Sequence, residues 1–303
     1  MHWTKGKKIT GMLIGVVLIT ALLRSCVATS YLIPSSGMEN SLLRGERILV
    51  NKWSYGLRIP FMHWIGYHRW CEQAVHKNDI IVFNNPANYQ EPVIDQREIF
   101  INRCIGTPGD TLLIDSLFSV TSSEQYAPDQ KFLYAYPLEQ EQRMDSILKS
   151  LSICSGQPIS RDSLHIVRNF SRYEQYLISQ ALNNPDWFIQ LGPNNSSLQL
   201  KPLIIPGKNS CIKVEPWNIT LLCNTLTIHE KKQATIQNDT LFLEGKPVTH
   251  CTFNQDYYWV VSNNPANISD SRLFGLVPHS HIIGKAALIW LSDKKNRIGK
   301  TIQ

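Results

Sequence analysis

Few residues in this chain have the types and spacing that chemistry needs. Ser35 and Ser36 follow Ile33-Pro34 and precede Gly37, Cys104 stands two positions after Asn102, and Asp270 and Arg272 flank Ser271. A serine attacks an acyl group only when a base takes its hydroxyl proton, and a lysine can be that base only if burial keeps its amine neutral. Gly37 has no side chain, and the Asn102 amide does not titrate in a useful range, so neither can fill these roles. Ser36 could act only after a local rearrangement, because on an extended chain its side chain points to the face opposite Gly37. Cys104 shares a face with Asn102, yet no histidine lies in its segment to activate it, and a buried structural cysteine is expected.

The same inventory excludes several function classes. The seven cysteines form no CxxC pair and show no His/Cys spacing suited to zinc, so neither a metal nor another cofactor is expected. Cys211 and Cys223 are the nearest candidates for a disulfide, but the odd total fixes no connectivity. The net charge of +6 comes partly from Lys5, Lys7 and Lys8, and no basic run carries interleaved aromatics, which argues against nucleic acid as a partner.

The elements that must position these residues are mostly strands. RILV at 47–50, DIIVF at 79–83 and the stretch 99–105 are β-branched and bounded by turn residues. After Pro202 come LIIP, CIKV, LTIH, TLFLEG, YYWVV and AALIW, which read the same way. Between them, 138–151 and 164–182 carry apolar residues at helical intervals, which predicts an inserted, partly helical module over 116–200 within a β core of 29–115 and 201–303. The C-terminal DKKNRIGK is expected to be a solvated tail. At the other end, the run from Ile9 to Leu23 is uncharged. Extended to Ala28 it spans roughly 30 Å as a helix, enough for a bilayer core. It is therefore expected to be a single-pass anchor over 9–28, with residues 1–8 cytoplasmic and the body outside. A cleaved signal peptide and a lipoprotein signal ending at Cys26 compete, but the direct passage into Tyr31-Leu32-Ile33-Pro34 favours a retained anchor.

Taken in order, five segments resemble those of bacterial type I signal peptidases. Ile33-Pro34-Ser35-Ser36-Gly37-Met38-Glu39-Asn40-Ser41-Leu42 resembles the serine-bearing IPSxSMxPTL segment, and the stretch from Gly45 to Gly56 is similar to the GDxILVxKxxYG strand. The run His76–Phe83 precedes an IKRxxGxPGD-like segment, Ile101-Asn102-Arg103-Cys104-Ile105-Gly106-Thr107-Pro108-Gly109-Asp110. Residues 262–278 resemble GDNRxNSxDSRxWGxVP. The resemblance implies a mainly antiparallel β-fold on the outer face of a bacterial inner membrane, with a groove for the segment before a signal-peptide cleavage site. It places the family's nucleophile at Gly37, its lysine at Asn102 and its lysine-orienting serine at Ile268. It also implies Ser35 as an oxyanion-hole serine, Ile33, Pro34 and Ile101 as groove residues, and Asp270 with Arg272 as a supporting ion pair.

Three readings follow. The leading one is a catalytically inactive signal peptidase homologue that binds signal peptides, exported preproteins or a membrane partner such as an active signal peptidase, in contact with membrane lipid. The second is an active signal peptidase using a displaced nucleophile such as Ser36. The third is a structural subunit of an envelope or secretion complex, docking through the 116–200 insert.

Overall fold

The computed structural model describes residues 9–16, 20, 27–59, 62–120, 129–153, 157–191 and 200–302. Residues 9–16 are helical, but no helix among the described residues is long and apolar enough to cross a membrane. Most of the remaining anchor expected over 9–28, residues 17–19 and 21–26, lies outside the described residues, as does 1–8.

Along the chain, β1 (Ala28–Leu32), β2 (Arg47–Asn51), β3 (Ile80–Asn84) and β4 (Ile99–Gly106) come first. Next come β5 (Lys131–Pro137), α1 (Glu141–Ser150), β6 (Ser160–Arg161), β7 (His165–Ser171), α2 (Arg172–Ala181) and β8 (Ile189–Leu191). Then come α3 (Ile219–Ile228), β9 (Tyr257–Val261), α4 (Ser271–Phe274), β10 (Val277–Pro278) and β11 (Ile282–Leu291). Among the described residues the largest sheet has the order β1-β2-β11-β3-β4-β9-β10, and every pairing in it is antiparallel.

Both faces of this sheet are covered, which is why its central strand is a continuous apolar run rather than an alternating one. Ile80 and Val82 of β3 pack with Ile33, Met38, Leu42, Ile48 and Ile283, while Ile81 and Phe83 pack on the other face with Tyr55, Cys104, Tyr258 and Val260. Register shifts in β2, β9 and β11 mark bulges that bend the ladder. Strands β5 to β8 build their own sheet, β8-β5-β7-β6, over a separate core that includes Tyr136, Met144, Ile166, Phe170 and Ile178.

Two expectations about elements need correction. The helix expected over 164–182 begins only at Arg172, because His165–Ser171 is a strand paired along its length with β5. Ile166, Arg168 and Phe170 alternate toward the buried side, and Ser171 then starts the helix with a reciprocal capping box to Glu174. LTIH was expected as a strand, yet it is the end of α3, whose sequence ITLLCNTLTI buries Ile219, Leu222, Cys223, Thr225 and Leu226. A short apolar run carries no period that separates the two states, and here the helix buries it in the core. The basic C-terminus is not free either: Arg297 Nε donates to Glu46 Oε1 at 2.6 Å and its Nη2 to the Ser41 carbonyl at 2.7 Å. Cys211 and Cys223, the expected nearest pair, are both free thiols.

Candidate functional site

Strand β4 pairs with β3 over Ile99–Arg103 but with β9 only from Arg103 onward, which leaves its first half with an open backbone edge. That edge faces a cleft of about 270 Å³ bordered by Tyr31, Leu32, Ile33 and Pro34 from the end of β1. The cleft is completed by Ser35, Gly37, Met38, Ile101, Asn102 and, from the loop after β9, Ser262, Asn267 and Ser269. Residues 33–37, 99–102 and 262–269, far apart in sequence, therefore converge on one site, and most of the predicted site residues border it.

Each predicted residue can be placed. Ile33 is buried, Ile101 is half-buried, and both pack on the core while lining the cleft. Pro34 and Ser35 are exposed at its rim, and Ser35 Oγ accepts weakly from the Gly37 N–H at 3.4 Å. Gly37 is buried. A Cβ built on it would stand 2.6 Å from Asn267 Nδ2 and 3.2 Å from Asn267 Cγ, so the Asn267 amide fills the space a side chain would need. Asn267 is held there because its Oδ1 accepts from Ser269 N and its carbonyl from Arg272 Nη2, at 2.9 and 2.7 Å.

Asn102 is 2% exposed; its Nδ2 donates to Ser262 Oγ at 3.0 Å, and its Oδ1 has no hydrogen-bond partner among the described residues. Ser262 was not singled out from the sequence, although it stands where the resembled motif has glycine. Ile268, at the position matched to the family's lysine-orienting serine, is 57% exposed, and its neighbours Asn267 and Ser269 border the cleft. The loop folds through side-chain turns at Asn264 and Asn267, which direct Ile268 outward. Ser36 is exposed and absent from the lining, so the cleft's hydroxyls come from Ser35, Ser262, Ser269 and Tyr31. No lysine, histidine, cysteine or carboxylate borders the cleft among the described residues.

Asp270 and Arg272 form the supporting pair the resemblance implies. Asp270 is fully buried; its Oδ2 accepts from Arg272 Nη2 at 2.7 Å and from Ser262 N at 2.9 Å. This is a structural clamp on the loop carrying Ser262 and Asn267 rather than a surface pair of little worth. Cys104 is fully buried, and burial together with the nearby Asp79 charge pushes its thiol far above the ordinary range, so it is a core residue and not a nucleophile.

A family profile described as "Signal peptidase, peptidase S26" matches residues 6–167 and 205–291. Similar proteins include the signal peptidase I of Aquifex aeolicus, 25% identical over 92% of this chain and 82% of its own length. That of Buchnera aphidicola from Schizaphis graminum is 24% identical over 91% of this chain and 72% of its own. Signal peptidase I of Pseudomonas aeruginosa is 24% identical over 91% and 69%.

Proposed function

This chain belongs to the signal peptidase family, peptidase S26, and from that membership we propose that it binds the cleavage-site region of signal-peptide-bearing preproteins without cutting it. The observation that carries this reading is the composition of the cleft. The two positions matched to the family's nucleophile and base border it as Gly37 and Asn102, and among the described residues no lysine, histidine or carboxylate lines the cleft with them. Hydrolysis by serine and lysine needs a hydroxyl and a neutral amine within hydrogen-bond reach. Ser262 Oγ accepts from the Asn102 amide at 3.0 Å, and the carboxylate beside it, Asp270, is committed to the Ser262 N–H and to Arg272.

The groove itself is kept. Ile33, Pro34 and Ile101 form apolar walls suited to small side chains, and the free edge of β4 offers backbone groups to an extended peptide. In this reading the groove lies at the outer face of a bacterial inner membrane, with residues 9–28 as a single-pass anchor, the N-terminus cytoplasmic and the body extracytoplasmic.

The test is a preprotein incubated with the purified full chain. Binding without cleavage is expected, with binding weakened by replacing the alanine at the −1 position with a bulky residue. Cleavage at the normal site that disappears in Ser36→Ala would overturn the proposal in favour of a displaced nucleophile.

A further inference from the structure

The polar groups at and beside the positions matched to the family's dyad line one cleft and are of two kinds. The donors are the Gly37 N–H and the Asn267 amide, whose Oδ1 is committed to Ser269 N and whose NH₂ therefore faces Gly37. The acceptor is Asn102, whose Nδ2 is committed to Ser262 Oγ and whose buried Oδ1 has no partner among the described residues. A buried acceptor without a partner costs roughly 1–3 kcal/mol, so the site gains from any ligand that brings an N–H to it. A trans peptide unit presents its C=O and N–H in opposite directions, one acceptor and one donor.

We propose that the cleft is a clamp for an uncleaved peptide bond, with Asn267 and Gly37 on the carbonyl side and Asn102 Oδ1 accepting the N–H. This rests on the groove-binding reading above and adds what the reworked centre recognises: the intact bond itself. A cleaved signal peptide ends in a carboxylate, which has no N–H for Asn102 and brings a charge beside its carbonyl oxygen. The site therefore discriminates precursor from product, a selectivity that a cleaving enzyme does not need. Asn102 is then a specificity-determining residue, and its exchange for lysine's place in the family is a change of ligand preference as well as a loss of chemistry.

The discriminating probe is a synthetic peptide with alanine at −1 and −3 spanning an uncut site, compared with the same peptide carrying an ester at that one bond. The ester keeps a carbonyl but replaces the N–H by an oxygen and makes that carbonyl a weaker acceptor, so the amide preference is compared between the natural chain and Asn102→Leu. For the full chain in detergent micelles, titration calorimetry is expected to give amide binding roughly 5- to 100-fold tighter than ester binding. In Asn102→Leu, of similar volume but without an acceptor, the two are expected to bind alike. The product peptide ending at −1 is expected to bind more weakly than either. Equal binding of amide and ester by the natural chain overturns the clamp while leaving groove binding intact. A preference for the amide that survives in Asn102→Leu overturns it as well. Failure of every peptide to bind overturns both readings.

Discussion

A methyl group added at position 37 separates the steric account of the cleft from a merely sequence-based one. Gly37 does not have a positive φ, so alanine meets no backbone penalty there, and by restricting the unfolded chain it should stabilise by about 0.4–1 kcal/mol. The new Cβ would lie 2.6 Å from Asn267 Nδ2, a separation no real Cβ tolerates, so the amide must swing away. Swinging breaks its bond to Ser269 N, worth about 0.5–1.5 kcal/mol, with overpacking strain of up to about 3 kcal/mol if the loop resists. Gly37→Ala is thus expected to be net destabilising by about 0.5–2 kcal/mol in the natural chain. In an Asn267→Ala background the obstacle is gone, and the same change is expected to stabilise by about 0.4–1 kcal/mol. A four-corner cycle read by urea midpoints gives the coupling directly. If Gly37→Ala has the same effect in both backgrounds, the Asn267 amide does not occupy the side-chain space, and the reasoning fails. The same obstacle explains why restoring Gly37→Ser with Asn102→Lys is expected to recover little cleavage until Asn267 is also changed.

Two further outcomes concern the core that holds the cleft. His279 and His281 are each 3% exposed, and burial pushes His279 down to about 3, helped by Arg69, and His281 well below its ordinary value, helped by His229, Arg97 and Arg58. Their folded pKa values lie below the unfolded one, so the unfolded chain binds more protons below about pH 6.5. Stability is fully present above that pH and is expected to fall by up to about 1.4 kcal/mol per pH unit for each ring as pH drops toward 5. His281→Gln, which keeps an acceptor for Arg97 Nη1, should flatten the urea-midpoint profile, and an unchanged slope would contradict the account. At the C-terminus, burial acts to raise the Glu46 carboxyl, but hydrogen bonds from Arg297, Leu43 N and Ser292 hold it below the carboxylate range. Arg297→Ala strands this 2%-exposed carboxylate and should cost about 3 kcal/mol near pH 7, most of it recovered in Glu46→Gln/Arg297→Ala; equal loss in single and double variants would count against it.

The strands that carry the site are the part of the fold most legible in the sequence. RILV and DIIVF are short β-branched runs; they appear as β2, which alternates between buried and more open positions, and β3, which is buried along its whole length because both faces of the sheet are covered there. Gly37 and Asn102, far apart in sequence, border one cleft. What escaped was decided by long-range partners. Ser262 became the hydrogen-bond partner of residue 102 only because Asp270 and Arg272 fold the loop back, and no local pattern encodes that. Arg297 lost its solvent because a buried carboxylate 251 positions earlier claims it.

Several further departures from the resembled motifs find their partners in and beside β5, β7 and α2. Where relatives have MxPTL, this chain has Met38-Glu39-Asn40-Ser41-Leu42; where they have GDNR, it has Ser262-Asn263-Asn264-Pro265. Glu39 pairs at 2.7 Å with Lys131, whose ammonium is fully buried, and Asn40 Nδ2 reaches the Asp129 carbonyl and Glu174 at 3.4 Å. Ser41 bonds Asp129, Asn263 Nδ2 donates to Ser41 Oγ at 2.6 Å, and Asn169 Nδ2 donates to Asn264 Oδ1 at 2.7 Å. Arg103, 3% exposed and next to Asn102, completes the network on Asp129 at 3.0 Å. Buried charges of this kind are tolerated only when every one is paired, so Glu39, Asn40, Ser41, Asn263 and Asn264 can change only together with residues 129, 131, 169 and 174. These residues thus serve a shared neighbour: they seat β5, β7 and α2 against the two segments that shape the cleft, and the Asn264 N–H bonded to the Gly37 carbonyl at 3.0 Å carries that seating to Gly37.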